Sequence, residues 1–257
     1  TDSRLSLKHK KIAVFMKYTL PPPPEKAGYV RRNFDEIAGH YDLFNDLITL
    51  GFHRRWKKRL LRESGLEGQN ALVLDLCCGS GDISLLFKKN LAPASTVYSL
   101  DFSRAMLERL EKRLEGVKGC PVEIIEGDAT DLRRFQKDSL DAVSISFGLR
   151  NVTDRPRCMK EAFRTLRKGG RFLILDVGRV RPAFLRPVAS FFFVKIVPLI
   201  GYVLQGGRHE MYDYLPASAG VFPAPEELKE EILRAGFSKV KIIHFFFGSA
   251  ALLAAEK

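Results

Sequence analysis

A glycine-rich loop after an apolar run carries the residue types that could bind a nucleoside. Asp75 lies within the apolar run at 71–76, and the loop Gly79-Ser80-Gly81 follows it. The glycines allow a tight turn and a close approach of the backbone to a ligand. Asp101 closes the next apolar run, at a spacing that lets a carboxylate accept hydrogen bonds from ribose hydroxyls. The pattern therefore indicates a nucleoside site.

The charges around the loop favour a nucleoside without phosphate. A dinucleotide needs free backbone amides at the helix N-terminus to receive its pyrophosphate, but Asp82 stands directly after the loop. S-adenosylmethionine has no phosphate and carries an ammonium and a sulfonium group, so the acidic residues Asp75 and Asp82 suit it and disfavour NAD. We therefore predict a methyl-donor site. The glycine turn alone is weak evidence, and the spacing to Asp101 strengthens it.

Further polar residues follow two later apolar runs. Asp128 ends a third strand, where it can accept a hydrogen bond from an adenine amino group or cap the end of an element. Arg150 and Asn151 follow the run at 140–147, at the carboxyl edge where open α/β sheets bind ligands. We expect Arg150 to contact the substrate, and the alternative is an ion pair with an N-terminal carboxylate.

Alternating strand and helix patterns would place these residues at one edge of a sheet. Strands are predicted at 71–76, 96–101, 122–127, 140–147 and 171–177, and helices at 82–90, 103–115, 154–167 and 225–235. Two apolar runs, 238–247 and 250–255, are typical of a closing hairpin. The alternation predicts an α/β fold with a doubly wound, mostly parallel seven-stranded sheet.

The rest of the chain divides into an extension, a cap and an insertion. Residues 1–27 form a basic extension, in which Pro21 to Pro24 predict a polyproline spacer because proline does not continue a helix. One domain covers 28–257. It opens with a helical pattern at 28–69, which predicts an N-terminal helical cap over the mouth of the sheet. The apolar insertion covers 179–224.

The insertion is rich in phenylalanine. Lys195 and Pro198 interrupt its apolar stretch, and it has no uncharged run of about 20 residues, so we expect no transmembrane helix. We expect helices that line an apolar cavity or lie on a bilayer surface.

The composition is that of a globular chain with a basic surplus, 42 Lys and Arg against 30 Asp and Glu. Such a surplus attracts nucleic acid or an anionic membrane, or solvates a helix face. The basic run His53 to Arg62 is interpreted as an amphipathic helix with a solvated basic face. The four cysteines form no C-x-x-C motif, so we predict neither a metal site nor a disulfide framework. We see no signal peptide in 1–11 and expect a cytoplasmic location.

Five segments together resemble the ubiquinone/menaquinone biosynthesis C-methyltransferase family, with demethylmenaquinone methyltransferases as the nearest type. The segments are Phe34–Asp46, Gly51–Lys57, Asp75–Asp82, Ile145–Asp154 and Tyr212–Leu215. The resemblance covers roughly residues 30–248. The segment Phe-Gly-Leu-Arg-Asn-Val-Thr-Asp that ends at Asp154 is specific to this family, whereas the glycine loop indicates only a methyltransferase.

The resemblance implies a class I methyltransferase fold, S-adenosylmethionine as cofactor and a polyprenylated quinol precursor as acceptor. Together with the spacing, it gives the expected cofactor-binding residues as Asp75, Gly79, Ser80, Gly81, Asp101, Phe102, Asp128, Ala129 and Ser146. Two departures from the family pattern concern Cys78, which replaces the glycine or other small residue usual there, and the segment 248–257, which lacks the histidine and glycine expected near the end. The second departure bears on the acceptor rather than on the methyl transfer.

The expected chemistry is C-methylation of a hydroxylated aromatic ring. The ring carbon becomes nucleophilic when its hydroxyl ionises, and Arg150 can stabilise the phenolate or hold a water, but it cannot be the base because its pKa exceeds about 12. Asn151 and Tyr41 complete the predicted catalytic edge. The candidate bases are Asp42, Asp46 and His53. The phenylalanines at 184–200 would hold the isoprenoid tail.

Two other functions are compatible with parts of this pattern. A phospholipid N-methyltransferase, or another small-molecule methyltransferase, would share the fold, but an amine acceptor calls for acidic or aromatic groups, and Arg150 counts against it. A nucleic-acid methyltransferase would use the basic N-terminus and bind with strong salt dependence, and we expect no nucleic acid. Ring type, tail length, a homodimer and peripheral contact with the inner face of the membrane are left open.

Overall fold

The computed structural model describes residues 18–257 and divides them into helices and strands. The helices are α1 (Pro23–Ile37), α2 (Tyr41–Thr49), α3 (Phe52–Ser64), α4 (Asp82–Asn90), α5 (Arg104–Leu114), α6 (Arg155–Thr165), α7 (Arg186–Phe191), α8 (Val197–Gln205), α9 (Glu210–Val221) and α10 (Pro225–Arg234). The strands are β1 (Leu72–Leu76), β2 (Thr96–Asp101), β3 (Val122–Glu126), β4 (Leu140–Ser146), β5 (Leu166–Val177), β6 (Lys239–Phe245) and β7 (Ala250–Glu256).

The strands form one seven-stranded sheet in the order β3-β2-β1-β4-β5-β7-β6. Strands β1 to β5 pair in parallel, and β7 pairs antiparallel with both β5 and β6. This confirms the predicted doubly wound sheet and its closing hairpin. The strand order reverses between β1 and β4, and open sheets of this kind bind ligands in the crevice at that switch point.

Strand β1 is buried on both faces. Val73 belongs to a core cluster with Trp56 and Phe87, whereas Leu74 belongs to a second cluster with Phe172, because successive side chains of a strand point to opposite faces. Asp75 is 1% exposed, which makes it the polar exception in the strand. A buried carboxylate needs partners in order to be tolerated there.

Two element boundaries differ from the predictions. Helix α1 begins at Pro23, so the predicted spacer is shorter and α1 crosses the expected boundary at 28, because proline is tolerated in the first turn of a helix. Residues 1–17 of the extension lie outside the described residues. Strand β5 begins at Leu166 rather than at 171, since the left-handed Gly169 (φ 77°) and a register irregularity let the chain pair early.

The helices of the cap also pack against the later part of the chain. Val30, Ile37 and Phe44 from the cap form a third buried cluster with Tyr212 and Tyr214 of α9. The insertion therefore supports the cap from the side, and both elements lie over the carboxyl edge of the sheet.

The insertion forms one helical run, Ala183–Gln205, that includes a π-helical turn at Phe192–Ile196. Its 23 residues are long and apolar enough to cross a membrane, and most of it is not buried within the protein. The absence of a transmembrane helix from the insertion stays a prediction. The run confirms that the insertion is helical.

Candidate functional site

The glycine loop lies between β1 and α4 in a conformation that its residue types dictate. Gly81 has φ 87°, and a Cβ added there would lie 2.1 Å from Cδ1 of Leu110. A Cβ at Gly79 (φ 54°) would meet open space. The loop therefore rests with Gly81 against α5 and turns Gly79 toward a cavity, while Cys77 also adopts a positive φ of 51°.

Asp101 holds this loop in place. Its Oδ2 accepts a hydrogen bond from the backbone N–H of Gly79 at 2.8 Å, and its Oδ1 accepts one from the N–H of Ser103 at 2.9 Å. Burial raises the pKa of Asp101 to about 6. Each carboxylate oxygen has a second lone pair, so both can still accept hydrogen bonds from a ligand.

A polar cavity opens above the loop, and we call it the loop cavity. Its lining residues are Tyr41, Lys57, Asp75, Cys77, Cys78, Gly79, Ser80, Asp82, Ile83 and Ser146. The Oγ of Ser146 is buried and has no hydrogen-bond partner among the described residues. A buried hydroxyl without a partner is costly, so it is a polar atom available to a ligand.

Asp75 lines the loop cavity, but its carboxyl group is buried and hydrogen-bonded within the protein. Ser84 and Ser144 donate hydrogen bonds to its two carboxylate oxygens, at 2.7 and 2.9 Å. Burial raises the pKa of Asp75 to about 7, and the two hydroxyls partly offset this effect. The side chain therefore ties β1 to α4 and β4.

Asp82, which the sequence suggests as a suitable neighbour for a cationic ligand, lines the loop cavity and is bound by two cations of the protein. Lys57 and Arg113 each bind one of its oxygens at 2.7 Å. Burial would raise the pKa of Asp82, but these two cations outweigh burial and lower it. Lys57 is itself buried. The helix that contains the run from His53 to Arg62 therefore has a solvated basic face only on its exposed side.

A second cavity follows the ends of β2 and β3, and we call it the edge cavity. Its lining residues are Ala27, Cys77, Leu100, Asp101, Phe102, Gly127, Asp128, Ala129, Asn151, Val152 and Thr153. It has apolar walls, two carboxylates at its rim and an empty volume of about 450 Å³ that opens to solvent. Such a cavity suits a flat base with an attached ribose.

The predicted cofactor residues fall into these two cavities, with one exception. Asp75, Gly79, Ser80 and Ser146 line the loop cavity. The edge cavity is lined by Asp101, Phe102, Asp128 and Ala129, and Cys77 lines both cavities. Gly81 lines neither, because it lies behind the loop against Leu110.

Asp128 also has a local structural role. Its Oδ1 accepts a hydrogen bond from the N–H of Thr130 at 2.7 Å, which is the capping alternative, and its side chain is exposed at the cavity rim. One carboxylate oxygen therefore remains available for an adenine amino group.

Arg150 lies in a buried ion pair. Its Nη1 donates to Oδ1 of Asp176 at 2.7 Å, and the two side chains are 8% and 2% exposed. The structure thus gives Arg150 a structural partner, but on β5 rather than at the N-terminus. Burial would lower the pKa of Arg150, but Asp176 outweighs burial and raises it. Arg150 lines neither cavity.

The other two predicted catalytic residues each line one of the two cavities. Asn151 accepts a hydrogen bond from the hydroxyl of Tyr214 at 3.0 Å and lines the edge cavity. Tyr41 lines the loop cavity, and burial raises its pKa to about 12, while the positive charge of Arg150 acts against this rise. The structure therefore brings the three residues to one edge of the sheet.

The three candidate bases have different surroundings. Asp46 pairs with Arg54 at 2.6 Å, and this bond lowers its pKa. Asp42 accepts a hydrogen bond from Ser80 at 2.6 Å. Burial and the charge of Lys57 lower the pKa of His53 to about 4, so its imidazole is neutral at pH 7. A pKa of about 4 makes His53 a weak base, and its Nδ1 lies 2.8 Å from Oγ1 of Thr49.

Sequence reasoning missed three residues of the site. They are Lys57, which lines the loop cavity, Asp176, which pairs with Arg150, and Lys26, which donates to the carbonyl oxygens of Arg150 (3.0 Å) and Val152 (3.2 Å). Burial lowers the pKa of Lys26 to about 8. Asp176 gave a signal, since it is the one carboxylate in the apolar run of β5. Within residues 18–257 no cluster could hold a metal ion.

Comparison with known proteins places the chain among methyltransferases. The profile of the ubiE/COQ5 methyltransferase family matches residues 24–257. A demethylmenaquinone methyltransferase of Leptospira interrogans is 45% identical over 243 residues, which cover 93% of this chain and 97% of that protein. The ubiquinone/menaquinone biosynthesis C-methyltransferase UbiE of Methylococcus capsulatus is 35% identical, over 90% of this chain and 92% of that protein.

A solved structure shows the same fold at low sequence identity. It is a S-adenosylmethionine-dependent methyltransferase of Thermotoga maritima, described as a possible histamine N-methyltransferase. Its TM-score is 0.60 at 19% identity, over 88% of this chain and 99% of that chain. The likeness confirms the class I methyltransferase fold.

Proposed function

Because the chain belongs to the ubiE/COQ5 methyltransferase family, we propose that it methylates a ring carbon of an isoprenoid quinol precursor. It is an enzyme that uses S-adenosylmethionine, in line with the relatives and the fold. A naphthoquinol acceptor is favoured over a benzoquinol, since the relative at 45% identity is named a demethylmenaquinone methyltransferase. The observation that supports this proposal most is the pair of cavities that meet at Cys77, one polar and one apolar.

The two cavities suit the two halves of the donor. The edge cavity has apolar walls for the adenine, Asp101 for the ribose hydroxyls and Asp128 for the adenine amino group. The loop cavity suits the charged amino-acid half, and its unpartnered Ser146 hydroxyl fits a polar ligand there. Bound S-adenosylmethionine supplies an electrophilic methyl group on its sulfonium.

The residues at the end of β4 would stabilise the acceptor as it reacts. Arg150 keeps its positive charge because of Asp176, so it can stabilise the ring oxygen as negative charge develops there. Tyr41 and Asn151 orient the ring beside it. Asp42, Asp46 and His53 stay candidates for the base that takes the proton of the ring hydroxyl, and the pKa of about 4 does not favour His53 over the two carboxylates.

Contact with a membrane surface follows from the acceptor, whose tail keeps it in the bilayer. The helical run Ala183–Gln205 exposes Phe184, Val188, Phe191, Leu199 and Val203. Exposed Phe246 and Phe247 lie beside the start of this run, because Arg181 donates its N–H to the carbonyl oxygen of Phe247 at 2.9 Å. These residues form what we call the apolar rim. Rims of this kind bind bilayer surfaces.

The charges near the apolar rim favour an anionic bilayer. The segment 177–209 has five basic residues, Arg179, Arg181, Arg186, Lys195 and Arg208, and no acidic residue. We propose peripheral binding from the cytoplasmic side. Vesicle flotation tests it: binding should need anionic lipid, and the double variant Phe184→Ser/Phe191→Ser should bind at least about tenfold more weakly. Leu72→Ser, at the amino end of the central strand β1, is the control. Equal binding by both variants would contradict the proposal.

The proposed reaction is tested with purified protein, labelled S-adenosylmethionine and two acceptors. We expect a short-chain demethylmenaquinol to gain a methyl on carbon, located by NMR, and phosphatidylethanolamine to gain none. Arg150→Ala should abolish transfer and largely spare calorimetric binding of S-adenosylhomocysteine, whereas exposed Arg157→Ala should change neither. Methylation of the phospholipid alone would overturn the proposal. A homodimer stays a prediction, which sedimentation velocity tests.

A further inference from the structure

Lys57 is a buried cation on the wall of the loop cavity. It lies on α3, and its side chain is 11% exposed. Its Nζ donates to Oδ2 of Asp82 at 2.7 Å, which is its one hydrogen bond to the described residues. An ammonium has three donors, so two remain for another acceptor. Among residues 18–257, Lys57 is also the one basic residue that lines this cavity.

Lys57 shares its one carboxylate partner with a second cation. Asp82 binds both Lys57 and Arg113 at 2.7 Å, and Arg113 also lies 3.6 Å from Asp42. The remaining acid of the cavity, Asp75, is held by Ser84 and Ser144. Neighbouring His53 lies 3.8 Å from Asp82 and is neutral. A buried ammonium whose one carboxylate partner is shared can accommodate a further anion.

We propose that Lys57 binds the α-carboxylate of the methyl donor. This inference rests on the proposed function, which puts the amino-acid half of S-adenosylmethionine in the loop cavity. The carboxylate is the one anionic group of that donor, and a lysine ammonium with free donors is its complement. The unpartnered Oγ of Ser146 on the same wall is an independent sign that a polar ligand fills the cavity.

The assignment explains why the cap carries a buried lysine at all. Burying a lysine ammonium inside a helical cap costs free energy because the group loses its hydration. An ion pair with one shared carboxylate offsets only part of that cost. Lys57 would therefore contact only the amino-acid half of the donor, whereas the edge cavity would bind the nucleoside half without a contribution from Lys57. The two halves of the donor become separable in a binding experiment.

Calorimetry on the full chain separates them with three ligands. S-adenosylhomocysteine has the carboxylate, 5′-methylthioadenosine lacks the whole amino-acid end, and decarboxylated S-adenosylmethionine lacks the carboxylate. Lys57→Met should weaken binding of S-adenosylhomocysteine about 10- to 100-fold, as expected for a lost hydrogen bond to a charged group. It should change the affinity for 5′-methylthioadenosine less than about twofold. Exposed Lys58→Met on the same helix is the control and should change neither.

Decarboxylated S-adenosylmethionine tests the same contact without a mutation. We expect it to bind wild-type protein more weakly than S-adenosylmethionine by a similar factor, and Lys57→Met to add no further loss. This arm decides the question if the variant does not fold. An equal loss for all ligands would make Lys57 a purely structural residue and overturn the proposal, as would no loss at all. Failure of wild-type protein to bind any of the ligands would instead overturn the proposed function.

Discussion

The buried pair of Arg150 and Asp176 allows a prediction of stability with a definite size. Asp176→Asn leaves the guanidinium of Arg150 with no counter-ion in a site where the two side chains are 8% and 2% exposed. Breaking a buried ion pair from one side costs about 3 to 5 kcal/mol. For a chain of this length that corresponds to a fall of about 6 to 20 °C in Tm.

The double variant Arg150→Met/Asp176→Asn removes both charges. It should lose less than the sum of the two single variants, because neither charge is then left unpaired. Urea unfolding measures all three variants. Asp131→Asn is the control, since Asp131 pairs with Arg133 at the surface, where the partner is 85% exposed, and this change should alter stability little.

Methyl transfer provides the second readout. Asp176→Asn should keep the affinity for S-adenosylhomocysteine and lose most of the transfer, since Arg150 is no longer held in one orientation. The reasoning is refuted if Asp176→Asn is as stable as Asp131→Asn, or if the double variant loses the full sum.

Two further predictions concern the loop and the buried acid beneath it. Gly81→Ala should destabilise the protein by about 1 to 3 kcal/mol and weaken donor binding, because the new Cβ would lie 2.1 Å from Leu110. Gly79→Ala is the comparison: its Cβ would meet open space, so this change should destabilise the protein less. Thermal unfolding of the two variants measures the difference. The pKa of Asp75 is raised from 3.8 to about 7, so between about pH 4 and pH 7 the folded state retains a proton that the unfolded state has lost. The free energy of unfolding should therefore fall as the pH rises through this range, and Asp75→Asn should remove that part of the slope in urea unfolding; an unchanged slope would count against it.

The sequence predicted the sheet well because its strands are continuous apolar runs. Val73, Leu74 and Leu76 are fully buried, as a parallel strand covered on both faces requires. The boundary at Leu166 was missed because Gly169 is read as a stop, whereas the strand accommodates it as an irregularity. Local sequence patterns predict helices and strands, but they do not predict an irregular pairing between two strands such as this one.

Ion pairs within the site were beyond the reach of the sequence. Asp82 stands next to the loop in the chain, but the cations that neutralise it come from α3 and α5. Likewise, Arg150 finds its partner Asp176 on the neighbouring strand β5. The sequence identifies the acidic and basic residues. Only the fold shows which of them already have an oppositely charged partner within the protein and which can still bind a ligand.

The position of helix α1 has a consequence for the rate of cofactor exchange. Ala27 lines the edge cavity, and Lys26 is bonded to the backbone on its opposite wall, so the first turn of α1 closes one side of that cavity. A spent nucleoside that leaves on this side would wait for the turn to unwind. Turnover and the opening rate of α1 should therefore rise and fall together, and hydrogen exchange of the α1 amides should slow when the nucleoside is bound.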